Sequence, residues 1–123
     1  MPGGIILIVE DDVAYARALA RLVEAGGWRA EIVPTAEAFL EEAESHARRA
    51  TCAVLDLRLP LMQGTDLYRA LRNRNIEIPV VFLSANPEEL LAGAELEGVH
   101  FLEKPVAAAD LFVAIRAAVA RRA

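Results

Sequence analysis

The chain has 123 residues, 55% of them hydrophobic, and a formal net charge of −5. This length is enough for one buried core, so we expect a single domain over residues 1–123. The apolar content excludes a disordered chain, and the acidic balance argues against direct nucleic acid binding by this domain. Short apolar runs, a start unlike a secretory signal and a single cysteine predict a cytoplasmic protein without disulfides or membrane contact.

Strand and helix patterns alternate along the whole chain. Five apolar runs bounded by turn residues predict strands at Ile5–Val9, Trp28–Val33, Cys52–Leu55, Pro79–Leu83 and Val99–Leu102. Helical spacing or capping residues predict a helix after each strand. Because right-handed crossovers join successive parallel strands, we expect a doubly wound α/β fold with helices on both faces of a five-stranded parallel sheet.

The first and last helices have clear apolar stripes. The first is predicted to run from Val13 to the Gly26-Gly27 pair, with Asp12 as its cap. Its predicted core residues are Val13, Ala16, Leu19, Leu22 and Val23. The last is predicted from about Ala107 to Ala120, with a stripe of Leu111, Phe112, Ile115 and Val119.

The middle helices are predicted mainly from their capping residues. Thr35 is expected to cap one continuous helix that reaches about Ala47, with Leu40 as its best core anchor. Thr65 or Asp66 is expected to begin the third helix. Asn86 followed by Pro and two acids predicts the start of a fourth, which is shortened by Gly93 and Gly98.

Polar residues follow four of the predicted strands. Parallel strands end at one edge of their sheet, so this edge should collect Glu10, Asp11, Asp56, Ser84 and Lys104. Three carboxylates in one place repel one another unless a cation neutralises them, and an all-oxygen set of modest size suits Mg²⁺.

The same residues match the requirements of phosphoryl transfer. A carboxylate beside Mg²⁺ can act as the nucleophile and form an aspartyl phosphate. Charge on the phosphoryl oxygens then needs donors, which Lys104 and the Ser84 hydroxyl can supply. Lys104 is the single lysine among thirteen basic residues, which indicates a position that needs a compact point charge.

Four motifs carry a family resemblance that covers essentially the whole chain: IILIVEDD, VLDLRLPLMQG, VVFLSA and FLEKP. Together they resemble the receiver domain of bacterial two-component response regulators. The resemblance implies a (βα)5 chain with the flavodoxin-like strand order 2-1-3-4-5. It also implies Mg²⁺-dependent acceptance of a phosphoryl group on Asp56, from a sensor histidine kinase or a histidine phosphotransfer protein.

The resemblance implies roles for individual residues. Glu10, Asp11, Asp56 and the backbone carbonyl of Arg58 would hold Mg²⁺. Ser84 and Lys104 would bind the phosphoryl group. Phe101 would be the aromatic switch that turns inward when Ser84 moves, and Arg58 and Asn86 would tune the lifetime of the phosphate.

The resemblance also implies an output surface, formed by the fourth predicted helix, the fifth strand and the last helix. This surface would control a downstream effector protein or domain, and it is also where a homodimer would form. The interval from Ser84 to Lys104 is slightly shorter than is usual in the family, which trims this surface. Ala107 stands where many relatives place a capping Asp. Both a freestanding regulator and a fragment of a larger regulator or hybrid kinase fit the sequence, which identifies neither kinase nor output.

Two other classes of protein compete with this interpretation. One is a receiver-like scaffold that signals without phosphate, which would need a missing acceptor, acid or lysine. The other is a phosphatase with an Asp nucleophile, similar to the haloacid dehalogenase group, but Arg58 stands where that group places its second acid. We therefore expect a signalling module that catalyses only its own phosphorylation and dephosphorylation, and not an enzyme with a separate substrate.

Overall fold

The structure is a computed structural model that describes residues 3–86, 88 and 99–122. Its strands are β1 Ile5–Val9, β2 Arg29–Val33, β3 Ala50–Asp56, β4 Val80–Ser84 and β5 His100–Glu103. Its described helices are α1 Val13–Ala25, α2 Ala36–Glu41, α3 Ala43–Arg49, α4 Gly64–Asn73 and α5 Ala108–Arg122. The strands form one parallel sheet in the order β2-β1-β3-β4-β5. The predicted doubly wound fold and strand order are therefore confirmed.

Both faces of the sheet are covered, so the central strands are apolar on both sides. The core on one face is formed by sheet residues together with residues of α2 and α4, including Leu7, Leu55, Phe82, Phe39, Leu67 and Leu71. The core on the other face includes residues of α1 and α5, namely Ile8, Val54, Val81, Leu19, Val23, Leu111 and Ile115. The alternation of side chains along each strand divides the apolar runs between the two cores.

The strand register brings the ends of β1, β3, β4 and β5 to one edge of the sheet. Val9 pairs with Leu55, Asp56 with Leu83, and Ser84 with Glu103. Glu10 and Lys104, each one residue beyond its strand, therefore lie at the same edge as Asp56 and Ser84. This edge is where open α/β sheets bind their ligands.

The first helix has the predicted bounds but a narrower buried stripe. Asp12 caps it by accepting a hydrogen bond from the backbone N–H of Tyr15 at 3.1 Å, and Gly26 ends it. Ala16, Leu19 and Val23 are buried, whereas the prediction of Val13 as a core residue is wrong, because its side chain is 61% exposed. Val13 is the first helical residue and lies beyond the sheet edge where β1 ends.

The predicted second helix is two helices, α2 and α3, which meet at Glu42. Thr35 caps α2 as predicted, since its hydroxyl accepts from the Ala38 N–H at 3.0 Å. At Glu42 the backbone leaves helical geometry (φ −124°, ψ 32°), and its N–H bonds to the Phe39 carbonyl, three residues back, at 3.2 Å. The single continuous helix predicted to about Ala47 is therefore wrong.

The predicted core anchor of this segment is also wrong. Phe39 is 1% exposed and belongs to the core, whereas Leu40 is half-buried at its margin. The buried positions of α2 and α3 are Ala36, Phe39, Ala43 and His46. These residues are three or four positions apart, so they form one buried helical face, and Leu40 lies at the margin of that face.

The remaining differences are small. Strand β2 begins one residue later than predicted, β3 is longer by two residues at its start and one at its end, and β4 and β5 are each shifted by one residue. Helix α4 begins at Gly64, and the Gln63 N–H donates to Asp66 Oδ2 at 3.3 Å. In α5 the buried residues are Leu111, Ala114, Ile115 and Ala118. Phe112 and Val119, which were predicted in the apolar stripe, are half-buried. The Asn86 side chain accepts from the Glu88 N–H at 3.0 Å, but the rest of the predicted fourth helix lies outside the described residues.

A pair of adjacent substitutions tests which residue anchors α2. Phe39→Ala should lower the free energy of unfolding by about 3–5 kcal/mol, because it empties a fully buried site. Leu40→Ala should cost less, because that side chain keeps part of its surface in water. Urea unfolding of both variants and wild type measures the difference. An equal or larger loss for Leu40→Ala would contradict the assignment, and Phe39→Leu replaces Phe39→Ala if the latter does not fold.

Candidate functional site

A lysine lies between two carboxylates at the ligand-binding edge of the sheet. The Lys104 ammonium donates to Glu10 Oε1 at 2.7 Å and to Asp56 Oδ2 at 3.0 Å. Glu10 is 3% and Asp56 7% exposed. These residues follow or end β1, β3 and β5 respectively, so the ion pairs join three strands that are distant in sequence.

The second oxygen of each carboxylate accepts from the backbone. The Asp12 N–H donates to Glu10 Oε2 at 3.0 Å, and the Arg58 N–H donates to Asp56 Oδ1 at 3.1 Å. Burial of a carboxylate is costly unless its oxygens are hydrogen-bonded. Both carboxylates therefore keep their orientation through one backbone donor and one shared cation.

The charges at this edge shift the pKa of two groups. Burial raises the pKa of Glu10, and repulsion from Asp56 adds to that rise, while hydrogen bonds from Lys104 and Asp12 oppose it. For Lys104, burial lowers the pKa, but its bonds to the two carboxylates outweigh burial and raise it. Lys104 therefore stays protonated at neutral pH.

The two carboxylates and the lysine line an acidic cleft. It has a volume of about 690 Å³ and is lined by Glu10, Asp11, Asp12, Asp56, Arg58, Leu59, Pro60, Ala85, Asn86 and Lys104. Glu10, Asp11 and Asp56 each offer one carboxylate oxygen, and these oxygens lie within 4.8 Å of one another. Such a set of hard oxygen donors fits Mg²⁺, which prefers carboxylates and water. Arg58 also lines the cleft, and its backbone carbonyl as a ligand stays a prediction.

Ser84 and Asn86 are bonded to each other beside the cleft. The Ser84 hydroxyl accepts from the Asn86 N–H at 3.0 Å and donates to the Asn86 carbonyl at 3.1 Å. Ser84 is buried, whereas Asn86 lines the cleft. The predicted roles of Ser84 in phosphoryl binding and of Asn86 in phosphate lifetime stay predictions.

Phe101 is half-buried and stacks on the core residue Phe82. Their ring centroids are 5.2 Å apart with an interplanar angle of 19°. The two residues are register partners on β4 and β5. Phe101 therefore lies beside Phe82, which is two residues before Ser84 on β4. The predicted switch role of Phe101 stays a prediction.

Gly64 permits the close approach of α4 to the end of β3. A Cβ at this position would lie 2.4 Å from the Asp56 carbonyl oxygen. The Gly64 N–H also bonds to the Leu57 carbonyl at 2.9 Å, which closes the loop that carries Arg58. The glycine that ends the central motif is therefore needed to place Asp56.

Tyr15 belongs to the site and was missed in the sequence. Its ring centroid lies 4.7 Å from Lys104 Nζ, and its hydroxyl accepts from the Val106 N–H at 3.3 Å. Helical spacing places Tyr15 on α1 but cannot reveal its contact with Val106, which is 91 residues away in sequence. The available signal in the sequence was its position one helical turn after the acids.

Comparison with known proteins agrees with this geometry. The family model of the response regulator receiver domain matches residues 6–116. The chain therefore belongs to the response regulator receiver domains of two-component systems.

Individual relatives extend the comparison. The chain is 35% identical over 116 residues to the response regulator protein TmoT of Ectopseudomonas mendocina, covering 93% of this chain and 52% of TmoT. It is 37% identical over 118 residues to the sensory transduction protein RegX3 of Mycobacterium tuberculosis, covering 94% of this chain and 51% of RegX3. The chain thus spans about half the length of these relatives. Among solved structures, a sensor protein from Polaromonas sp. JS666 has a TM-score of 0.83 at 32% identity, covering 97% of this chain and 98% of that one.

No helix within residues 3–86, 88 and 99–122 combines the length and the apolar character needed to cross a bilayer.

Replacing Glu10 by Gln tests the electrostatic cost of the buried carboxylate. The fold raises the pKa of Glu10 above its usual 4.5, so ionisation of Glu10 destabilises the folded state as pH rises above about 4.5. The stability of Glu10→Gln relative to wild type should therefore increase from about pH 4 to about pH 7.5. Urea unfolding across this range measures the trend.

Glu31→Gln is a matched control with the opposite expected sign. Hydrogen bonds from Arg49 at 3.0 and 3.1 Å lower the pKa of Glu31, so its ionised form stabilises the fold and that contribution is lost at low pH. Relative to wild type, this variant should lose stability over the same rise in pH, and by a small amount because the pair is exposed. Parallel pH profiles for the two variants would contradict the assignment.

Proposed function

We propose that this receiver domain accepts a phosphoryl group on Asp56 and thereby switches the surface that it presents to a downstream partner. The contact that carries the proposal joins the Lys104 ammonium to Asp56 Oδ2 at 3.0 Å, and both residues line an acidic cleft. A cation fixed beside a buried carboxylate supports phosphoryl transfer because negative charge develops there.

The chemistry assigned to Asp56 is nucleophilic. A carboxylate oxygen of Asp56 forms a bond to phosphorus, the bond between phosphorus and the donor's histidine nitrogen or acyl oxygen breaks, and the donor leaves with that electron pair. Lys104 then exchanges its contact with Asp56 for one with a phosphoryl oxygen. The Arg58 N–H, 3.1 Å from Asp56 Oδ1, keeps the carboxylate oriented during the transfer.

Glu10, Asp11, Asp56 and the Arg58 carbonyl are the residues that would hold Mg²⁺. When bound, the ion supplies positive charge against the phosphoryl oxygens. Glu10 is buried and already bonded to Lys104 and Asp12, so we assign it contact through water. Asp11 is exposed in the cleft and is assigned as a direct ligand.

The output is proposed to pass through Ser84 and Phe101. Phosphorylation adds about two negative charges at neutral pH and new acceptor oxygens, which bias a two-state element. On this proposal Ser84 exchanges its bonds with the Asn86 backbone for a phosphoryl oxygen, and Phe101 moves along Phe82. Arg58 and Asn86, which line the cleft, would control access of water to the phosphate.

The proposed partners follow from the relatives, which are named as response regulator and sensory transduction proteins. A histidine kinase or phosphotransfer protein would donate the phosphoryl group, and an effector protein or domain would read the result. The effector surface, or a homodimer, is assigned to the fourth predicted helix, β5 and α5. On this proposal the domain catalyses only its own phosphorylation and dephosphorylation.

Incubation with a small acyl-phosphate donor, with and without Mg²⁺, tests the proposal by intact mass. Wild type should gain one phosphoryl group only when Mg²⁺ is present, and Asp56→Asn should gain none. Asp66→Asn, which removes an exposed acid on α4, is the matched control and should behave as wild type. No modification of wild type under any condition would favour the phosphate-independent scaffold.

Binding of Mg²⁺ should stabilise the protein against heat at neutral pH. A ligand that binds only the folded state adds about 2.7 kcal/mol at a concentration of 100 times its Kd. Asp11→Asn should lose this increase in Tm. Asp12→Asn, which removes one charge from the same segment and can still cap α1, should keep it. An equal Tm increase in both variants would contradict the ligand assignment.

A further inference from the structure

We propose that Tyr15 is a positioning residue that holds the Lys104 ammonium in place between Glu10 and Asp56. The inference deepens the proposed function, since Lys104 is the group assigned to the phosphoryl oxygens. It rests on two separate contacts of one side chain, a ring against a cation and a hydroxyl against the backbone.

The first contact completes the surroundings of the ammonium. A lysine ammonium has three donor hydrogens. Two point to Glu10 Oε1 and Asp56 Oδ2, and the Tyr15 ring centroid lies 4.7 Å from the same nitrogen. A cation over an aromatic face is attracted to it, more strongly where water is partly excluded. The Lys104 side chain is 17% exposed, so the ring acts at such a position.

The second contact fixes the backbone that carries Lys104. Pro105 has no N–H, so the first backbone donor after Lys104 is that of Val106, which bonds to the Tyr15 hydroxyl at 3.3 Å. Before Pro105, the Lys104 N–H donates a hydrogen bond to the Ser84 carbonyl at 2.8 Å. Tyr15 therefore accepts a backbone hydrogen bond that holds the segment after Lys104 against α1.

Tyr15 is itself tied to the acidic segment. Asp12 accepts from the Tyr15 N–H at 3.1 Å, and the Asp12 N–H bonds to Glu10 at 3.0 Å. A closed set of contacts thus runs from Glu10 through Asp12 and Tyr15 to Lys104 and back. The orientation of α1 is in this way coupled to the position of the ammonium.

The ring has a property that a third carboxylate would lack. It attracts the ammonium without carrying a full negative charge, so it does not repel an incoming phosphoryl group. When Lys104 leaves Asp56 for a phosphoryl oxygen, the ring keeps the ammonium within the site. Loss of an attraction of this kind should slow phosphorylation of Asp56 about two- to fivefold.

The single lysine makes the contact measurable without phosphorylation. Protein labelled with ¹³C-lysine gives one side-chain ε-CH₂ signal, and the Tyr15 ring should shift it upfield from its value in the unfolded chain. Tyr15→Phe should keep this shift and Tyr15→Leu should lose it. Hydrogen exchange of the Val106 amide should accelerate in both variants, because both lack the hydroxyl.

Tyr68→Leu is the matched control. Tyr68 also has an arginine over its ring, at 5.8 Å, and its hydroxyl accepts from Arg72 at 3.0 Å, but it lies on α4. Its removal should leave the Lys104 signal unshifted from wild type. Backbone amide spectra verify folding, and Tyr15→Met replaces Tyr15→Leu if the latter does not fold.

Phosphorylation rates with an acyl-phosphate donor complete the test. We expect wild type to be phosphorylated fastest, Tyr15→Phe more slowly and Tyr15→Leu most slowly. An unchanged Lys104 signal in Tyr15→Leu overturns the positioning role, as does an unchanged rate in that variant. If wild type is not phosphorylated at all, the proposed function fails, while the Lys104 signal still decides whether Tyr15 positions the ammonium.

Discussion

The arrangement of this domain depends on one cation shared by two buried carboxylates. Glu10 and Asp56 lie at the ends of the neighbouring strands β1 and β3 and would repel each other without Lys104, which contacts both. Buried ion pairs of this kind add little net stability compared with apolar packing, whereas loss of one partner is strongly destabilising. Stability alone does not account for three charged groups in contact at the edge of an apolar sheet. Their presence fits a site in which the cation changes partners.

The parallel sheet explains why these groups meet. Residues that directly follow β1 and β5, and the last residue of β3, converge because the strands share one direction and a fixed register. Backbone donors then orient each carboxylate, and Gly64 lets α4 approach Asp56 closely. The site is thus a consequence of topology with a few local contacts.

This origin also explains what could be predicted from sequence. Strand ends are marked by short apolar runs and turn residues, so the sheet edge and its charged residues followed directly from them. Helix details depend on packing against the rest of the fold. Phe39 packs into the core with residues of the sheet, whereas Leu40 lies at the margin of that core, and the helix breaks at Glu42. The local sequence marks neither feature. Tyr15 was missed because its role lies in a contact with a segment 91 residues away, which helical spacing on α1 does not encode.

The same contacts suggest how a local change of charge could reach a distant surface. Lys104 is bonded through its backbone to Ser84, at the end of β4, and Phe82 on that strand stacks on Phe101 and meets Tyr68 of α4 edge-on at 5.9 Å. On the proposed function, a phosphoryl group on Asp56 draws Lys104 and Ser84 toward it. Ser84 ends β4, which carries Phe82, and Lys104 directly follows β5, which carries Phe101. Packed aromatic rings exchange between discrete arrangements because the interior is dense. On the proposed function, a change of partner at one ammonium would select between two packings of Phe101 without deforming the sheet.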